Sequence, residues 1–160
     1  MKPPRLSLLA LVALATSCGG SDEGRGPIVG GLDTSEQGIV SFVKERRYKD
    51  WLAEPAVHQS SGPHGPVRVF FNDVSVESLR ANNATHTVGS ILVKELYAPD
   101  GKELIGHALD VKVEAGAHKD TWLYFEGVLP GYKNNFYGRG HETCHGCHEA
   151  GKDYVTTALP

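Results

Sequence analysis

The sequence predicts a mainly β fold: an antiparallel sheet with flanking short helices, closed by a C-terminal segment that carries two cysteines. Three observations predict it. Residues 67–71, 88–97, 103–114 and 121–126 are dense in β-branched and aromatic side chains, which suit a pleated, half-buried surface. Turn formers separate them, and Pro99-Asp100-Gly101-Lys102 is short enough to join two of them as an antiparallel hairpin. Helical patterns are few, at 39–52 and 75–81.

In chain order, Lys2 and Arg5 precede an apolar run from Leu6 to Ala15, too short for the about 20 residues of a bilayer-spanning helix. Residues 1–17 thus have the pattern of a signal peptide. An ordinary secretory leader cut near Ser17 leaves Cys18 incidental. Ala15-Thr16-Ser17-Cys18 instead resembles a bacterial lipoprotein cleavage site, although Leu14 stands four residues before the cysteine where such leaders usually place it three before. Cys18 is then the lipidated N-terminus, and each buried acyl methylene contributes about 0.8 kcal/mol of membrane affinity. Gly19 after it leans towards the outer membrane. Residues 18–38 are glycine-rich and almost free of aromatics, so they read as a flexible tether, with the folded domain expected over 39–160.

Within the domain, Ile39, Phe42, Val43 and Trp51 share one side of a helix that Pro55 ends. Residues 59–66 are loop, 67–71 a strand closed by Asn72 and Asp73, and 75–81 a short helix. The strands 88–97 and 103–114 form the hairpin, and 121–126 is a further strand. Residues 129–140, glycine-rich, are expected to be irregular and lead into the cysteines.

Composition removes one class of function. The chain carries 16 basic and 19 acidic side chains, formally −3, and becomes more acidic once Lys2 and Arg5 leave with the leader. Without a Lys/Arg block it offers no phosphate-neutralising surface, so nucleic acid is not an expected partner.

Cys144-His145-Gly146-Cys147-His148 has the spacing of covalent c-type haem attachment. Two thiols at this spacing can form thioethers with the two vinyl groups of one porphyrin, and the next histidine then directs a nitrogen at the iron. The alternatives are a dithiol redox pair or a mixed zinc site with His141, His145 or His148. The export signal and the lack of a second cysteine pair favour one covalently attached haem c per chain, with Cys144 and Cys147 as attachment points and His148 as the axial ligand. The chain has one methionine, Met1, so the common histidine–methionine pairing is closed. A second histidine (58, 64, 86, 107 or 118), a lysine, or an open position remain.

Strand alternation puts Ser90, Leu92, Lys94 and Leu96 on one face and Ile91, Val93, Glu95 and Tyr97 on the other. Lys94 therefore sits between leucines on an apolar face, where an amine is costly unless paired or used; its stem can also snorkel to solvent. Arg68 shares a face with Phe70 and is a candidate partner for a haem propionate or distal ligand. Trp122 and Tyr124 alternate with Leu123 and Phe125, aromatic surface enough to wall a porphyrin.

Over residues 65–156 the chain resembles the cytochrome P460 family, which includes the beta-type cytochromes c-prime. The supporting pieces are the strand from Val67, the segment Val93-Lys94-Glu95-Leu96, the returning strand, Trp122, the motif from Cys144 to His148 and the tail from Gly151 to Thr156. The resemblance implies a largely β fold, a homodimer, histidine-ligated haem and a vacant distal site. In the P460 enzymes, which oxidise hydroxylamine, a lysine matching Lys94 is cross-linked to the porphyrin, and a distal arginine matches Arg68. Their acidic residue on the returning strand corresponds to Ala108; Asp110, on the same face, is the nearest acid, about 7 Å along. The beta-type cytochromes c-prime instead bind nitric oxide under aromatic caps, for which Phe70, Phe71 and Phe125 are available.

Three functions stay open on these grounds. One is an enzyme oxidising hydroxylamine or a related nitrogen species with Lys94, Arg68 and Asp110, passing electrons to a periplasmic acceptor. The second is a small-ligand binder without the cross-link. The third is a six-coordinate electron carrier. All three are exported, on the periplasmic side, and held to the lipid bilayer through Cys18.

Overall fold

The computed structural model describes residues 24–160, with nothing said of the side chains of Asn134 and Asn135. The expected leader, Cys18 and the first part of the tether lie outside the described residues. Packed structure begins ahead of the expected boundary at residue 39. β1 (Ile28–Val29) and β2 (Leu32–Asp33) form a hairpin about Gly30 and Gly31. Both glycines have positive φ, 56° and 80°, which a two-residue turn of this hand requires. Leu32 is fully buried, so this segment is part of the core rather than a tether.

α1 is Glu36–Lys44, shorter and earlier than the helix expected at 39–52. Its start is chemical: the Ser35 side chain accepts from the Gly38 N–H, satisfying one orphan donor. Its end follows from Arg46, whose φ of 54° leaves the helical region. The chain then turns, so that Tyr48 enters the core. Two short strands follow, β3 (Leu52–Ala53) and β4 (His58–Gln59).

β5 (Pro66–Phe71) leads into α2 (Asp73–Arg80). Asn72 joins them: its Oδ1 accepts from the Ser75 and Ile91 N–H groups, and its Nδ2 donates to the Gly89 carbonyl. β6 (Ile91–Tyr97) and β7 (Leu104–Lys112) form the predicted antiparallel hairpin. A 3₁₀ turn at Lys119–Thr121 precedes β8 (Trp122–Val128), and β9 (Lys133–Arg139) returns beside it. β9 falls in the stretch expected to be irregular. It is an edge strand held by its ladder, with Phe136 and Tyr137 exposed, so it lacks the buried alternation that marks a strand in sequence. α3 (Glu142–His148) closes the fold.

β5 to β9 form an antiparallel meander, with β3 and β4 both paired to the outer side of β5. The mainly β architecture with short helices is as predicted. The register sorts side chains into two layers. Phe70, Val93, Leu109 and Phe125 lie abreast on the face that packs against Ile39, Phe42 and Val43 of α1. Val69, Lys94, Ala108 and Glu126 lie abreast on the opposite face, next to the row Phe71, Leu92, Asp110 and Tyr124. α2, α3 and the C-terminal tail cover that second face through Val76, Leu79, Cys144, Val155 and Leu159. Burying one large apolar side chain contributes roughly 1.5–3 kcal/mol, so both layers stabilise the sheet.

The α1 layer also contains a hydrogen-bonded polar chain. Tyr132 donates to His107 Nδ1, His107 Nε2–H donates to the Tyr48 hydroxyl, and Tyr48 donates to Glu95 at 2.7 Å. Tyr97 and Lys49 bind the same carboxylate. One tautomer of His107 satisfies every link, which is what a buried polar network needs.

Candidate functional site

α3 presents Cys144, Cys147 and His148 to two adjoining cavities beneath the second face of the sheet. The larger, about 980 Å³, is walled by Val67, Val69 and Lys94 from the sheet, the loop around Pro63 and His64, His148, and tail residues through Leu159. The smaller, about 200 Å³, is bordered by Ala108, Asp110, Tyr124, Glu126 and Cys144. Pro63, His64, Cys147 and His148 border both. Cavities of several hundred cubic ångströms are the size that holds organic cofactors.

His148 is buried, and its orientation is set by the chain that follows it. Nδ1 lies 3.0 Å from the Tyr154 carbonyl, which can only accept, so Nδ1 carries the proton and Nε2 the lone pair. Asp110 Oδ2 stands 3.6 Å from the same Nδ1. A ring N–H held by a carbonyl, here with a carboxylate beside it, is the usual support for a metal-ligating imidazole. Tyr124 lies edge-on to the His148 ring, 5.5 Å between centroids.

Both cysteines are free thiols. Burial pushes the Cys144 thiol up to about 12, with the Asp110 and Glu126 carboxylates adding to it and Lys94 opposing. A thiol that stays protonated at neutral pH is a poor redox nucleophile, which weighs against the dithiol alternative. Among the described residues no group of three or more His, Cys, Asp or Glu is placed to hold a metal ion, which weighs against the zinc alternative.

Lys94 stands where strand alternation placed it, 7% exposed and facing the larger cavity. Its amine has no hydrogen-bond or ion-pair partner among the described residues. The Tyr124 hydroxyl, bordering the smaller cavity, is fully buried without a partner. Burial raises its pKa, so it remains a neutral donor. A buried orphan hydroxyl and an unpaired amine on the walls of one cavity system are groups that a bound polar-edged cofactor would satisfy. The residues present therefore fit a haem attached through Cys144 and Cys147 with His148 as its ligand.

The other expected site residues separate. Arg68 lies on the α1 side: it donates to the Glu54 carbonyl at 2.8 Å and stacks over Phe70, 5.1 Å from the ring centroid. Phe70 is core on that side, and so is the ring of Phe125, 6.0 Å from that of Tyr132, although Phe125 touches the smaller cavity. Phe71 is on the Lys94 side but packs with Val76 and Leu92, away from both cavities. Arg68, Phe70 and Phe71 border neither cavity; for Arg68 and Phe70 the reason is the period of two, since both are odd steps from Val69, the residue opposite Lys94. Asp110 is on the cavity side as expected, but it stands at His148.

Sequence reasoning named His64 only as one of five possible second histidine ligands, and it did not single out Glu126. His64 Nδ1 lies 3.0 Å from Glu126 Oε2, with both side chains largely covered. The His64 and His148 rings are 6.4 Å apart between centroids. Only their positions within a Ser-Gly-Pro loop and a β-strand were legible, and these give no sign that they meet. No protein-family model matches the chain, and no curated protein matches it.

Proposed function

We propose that this chain is an exported, periplasm-facing mono-haem c-type cytochrome of the P460 type whose haem face opposite His148 handles a small nitrogenous ligand. The observation that carries the proposal is the convergence of Cys144, Cys147 and His148 on two adjoining cavities, the larger of which Lys94 also lines. Bound there, haem would supply an iron that exchanges single electrons and takes a small ligand.

The chain's own residues supply the rest. Cys144 and Cys147 fix the cofactor covalently. The Tyr154 carbonyl holds the His148 ring, and with the Asp110 carboxylate nearby makes it a better donor. Lys94 brings a cation to the cavity wall, where it can balance an anionic edge or form the family's cross-link. Val67, Val69 and Leu159 exclude water.

Ligand binding or electron carriage is favoured over hydroxylamine oxidation. The oxidation as the family performs it uses a distal arginine, and Arg68 packs on the other side of the sheet; the family's acid position falls at Ala108, beside which Glu126 borders the smaller cavity. Lipidation at Cys18, an outer-membrane position, a periplasmic electron acceptor and a homodimer complete the proposal.

Intact mass and reduced absorption spectra of the protein purified from an exporting, haem-maturing host test it. One covalent haem per chain with a c-type spectrum is expected. A chain that leaves that host without haem overturns the proposal. Steady oxidation of hydroxylamine with an artificial acceptor would restore the enzyme reading.

A further inference from the structure

Beneath the sheet, two imidazoles face the same junction. His64 and His148 both border both cavities, and their centroids are 6.4 Å apart with planes crossing at 79°. A metal–nitrogen bond of about 2 Å places an imidazole centroid about 3 Å from its metal, so two rings on opposite sides of one iron lie about 6 Å apart. The observed separation matches that spacing.

The hydrogen bonding agrees. Glu126 Oε2 can only accept from His64 Nδ1, as the Tyr154 carbonyl can only accept from His148 Nδ1. Both rings thereby carry a proton on Nδ1, and in the neutral ring that leaves Nε2 as the nitrogen that can ligate a metal. Neither Nε2 has a partner among the described residues. Each imidazole has an oxygen acceptor behind it, the support that metal-bound histidines use.

We infer that His64 is a second, displaceable axial ligand, closing the haem face opposite His148 in the resting protein. This rests on the haem reading above and adds to it a six-coordinate resting state. The loop that carries His64 makes the ligand detachable. Its internal backbone bond runs from the Ser60 N–H to the Gly65 carbonyl at 2.9 Å, it lies outside the strands, and Gly65 has a φ of 71°. A loop with so few bonds opens at low cost. An incoming small ligand therefore competes with His64, and the Glu126 contact sets how readily the ring leaves.

The test compares the haem-loaded wild type with His64→Ala, Glu126→Gln and Lys94→Ala. The readouts are absorption and low-temperature electron paramagnetic resonance, with carbon monoxide as the probe ligand. Wild type is expected to be low-spin in both oxidation states and to bind carbon monoxide slowly. His64→Ala is expected to be high-spin and to bind it at least tenfold faster, and added imidazole returns the low-spin spectrum. Glu126→Gln is expected to fall between, and Lys94→Ala to stay low-spin. A high-spin wild type that His64→Ala leaves unchanged overturns the inference while the haem reading stands. So does a low-spin state that Lys94→Ala abolishes and His64→Ala does not. Absence of covalent haem in the intact mass overturns both.

Discussion

Lys112 Nζ lies 2.7 Å from Asp153 Oδ2, and neither side chain is exposed to solvent. The ammonium also donates to the Gly116 carbonyl and Thr121 Oγ1, and it sits 5.1 Å over the Trp122 ring. Asp153 also accepts from the His86 N–H at 2.7 Å. The ion pair pins a turn in which Asp153 and Tyr154 both have left-handed backbone, φ 43° and 67°. Such conformations cost on the order of 1–3 kcal/mol each and persist only where surrounding contacts enforce them. What they achieve is the aim of the Tyr154 carbonyl at His148.

Asp153→Ala leaves the Lys112 charge buried and unpaired, so a loss of about 3–5 kcal/mol is expected in denaturant unfolding. Lys112→Ala is expected to cost a similar amount. The double variant should lose less than the sum, because the two act on one contact.

Acid should destabilise the protein well above the ordinary carboxylate range. Burial lowers His107 to about 4, against about 6.5 when unfolded. Between those values the unfolded chain holds the extra proton, so stability rises with pH across the window and is lost as pH falls through it. The difference corresponds to on the order of 3 kcal/mol. Glu95 continues the loss further down. Burial alone would raise it, but Lys49, Tyr48 and Tyr97 hold the carboxyl below its usual value, and that stability goes as pH falls through it. Unfolding curves at pH 7.5, 6 and 4.5 measure the trend. His107→Gln should be less stable at pH 7.5 and show a flatter dependence.

Lys94 is expected to cost the fold stability that its role requires. Lys94→Met keeps the apolar stem and removes the unpaired amine, so its unfolding free energy should equal or exceed that of the wild type by about 1 kcal/mol. If the amine is bonded to the porphyrin, the wild-type reduced spectrum carries a strongly red-shifted band that Lys94→Ala abolishes. A normal c-type band in both proteins excludes the bond.

Cys144→Ser and Cys147→Ser should each leave one thioether. Intact mass should still show haem in part of each population, and acid extraction should remove it only from the double variant. Haem retained through acid extraction by the double variant would mean a further covalent link, for which Lys94 supplies an amine on the cavity wall.

Much of the fold was legible because its strands bury one clear face. The alternation through Lys94 correctly separated Leu92 and Leu96 from Val93 and Glu95, and the Pro99–Lys102 turn correctly joined β6 to β7. The hairpin at Gly30 was hidden because its strands have two residues each, too few for a period. β9 was hidden because its ladder bonds, unlike burial, leave no mark on residue type.

By itself the sequence determined the two-faced sheet, the spacing of Cys144, Cys147 and His148, and the side of the sheet on which Lys94 lies. These are local: each depends on residues a few positions apart. Only the tertiary structure decided which strand rows share the cavity, and so removed Arg68 and Phe70 from it. It also brought His64 to Glu126 and His148, and Asp110 to His148. Those meetings join segments far apart in the chain, and strand register and loop path, rather than residue pattern, determine them.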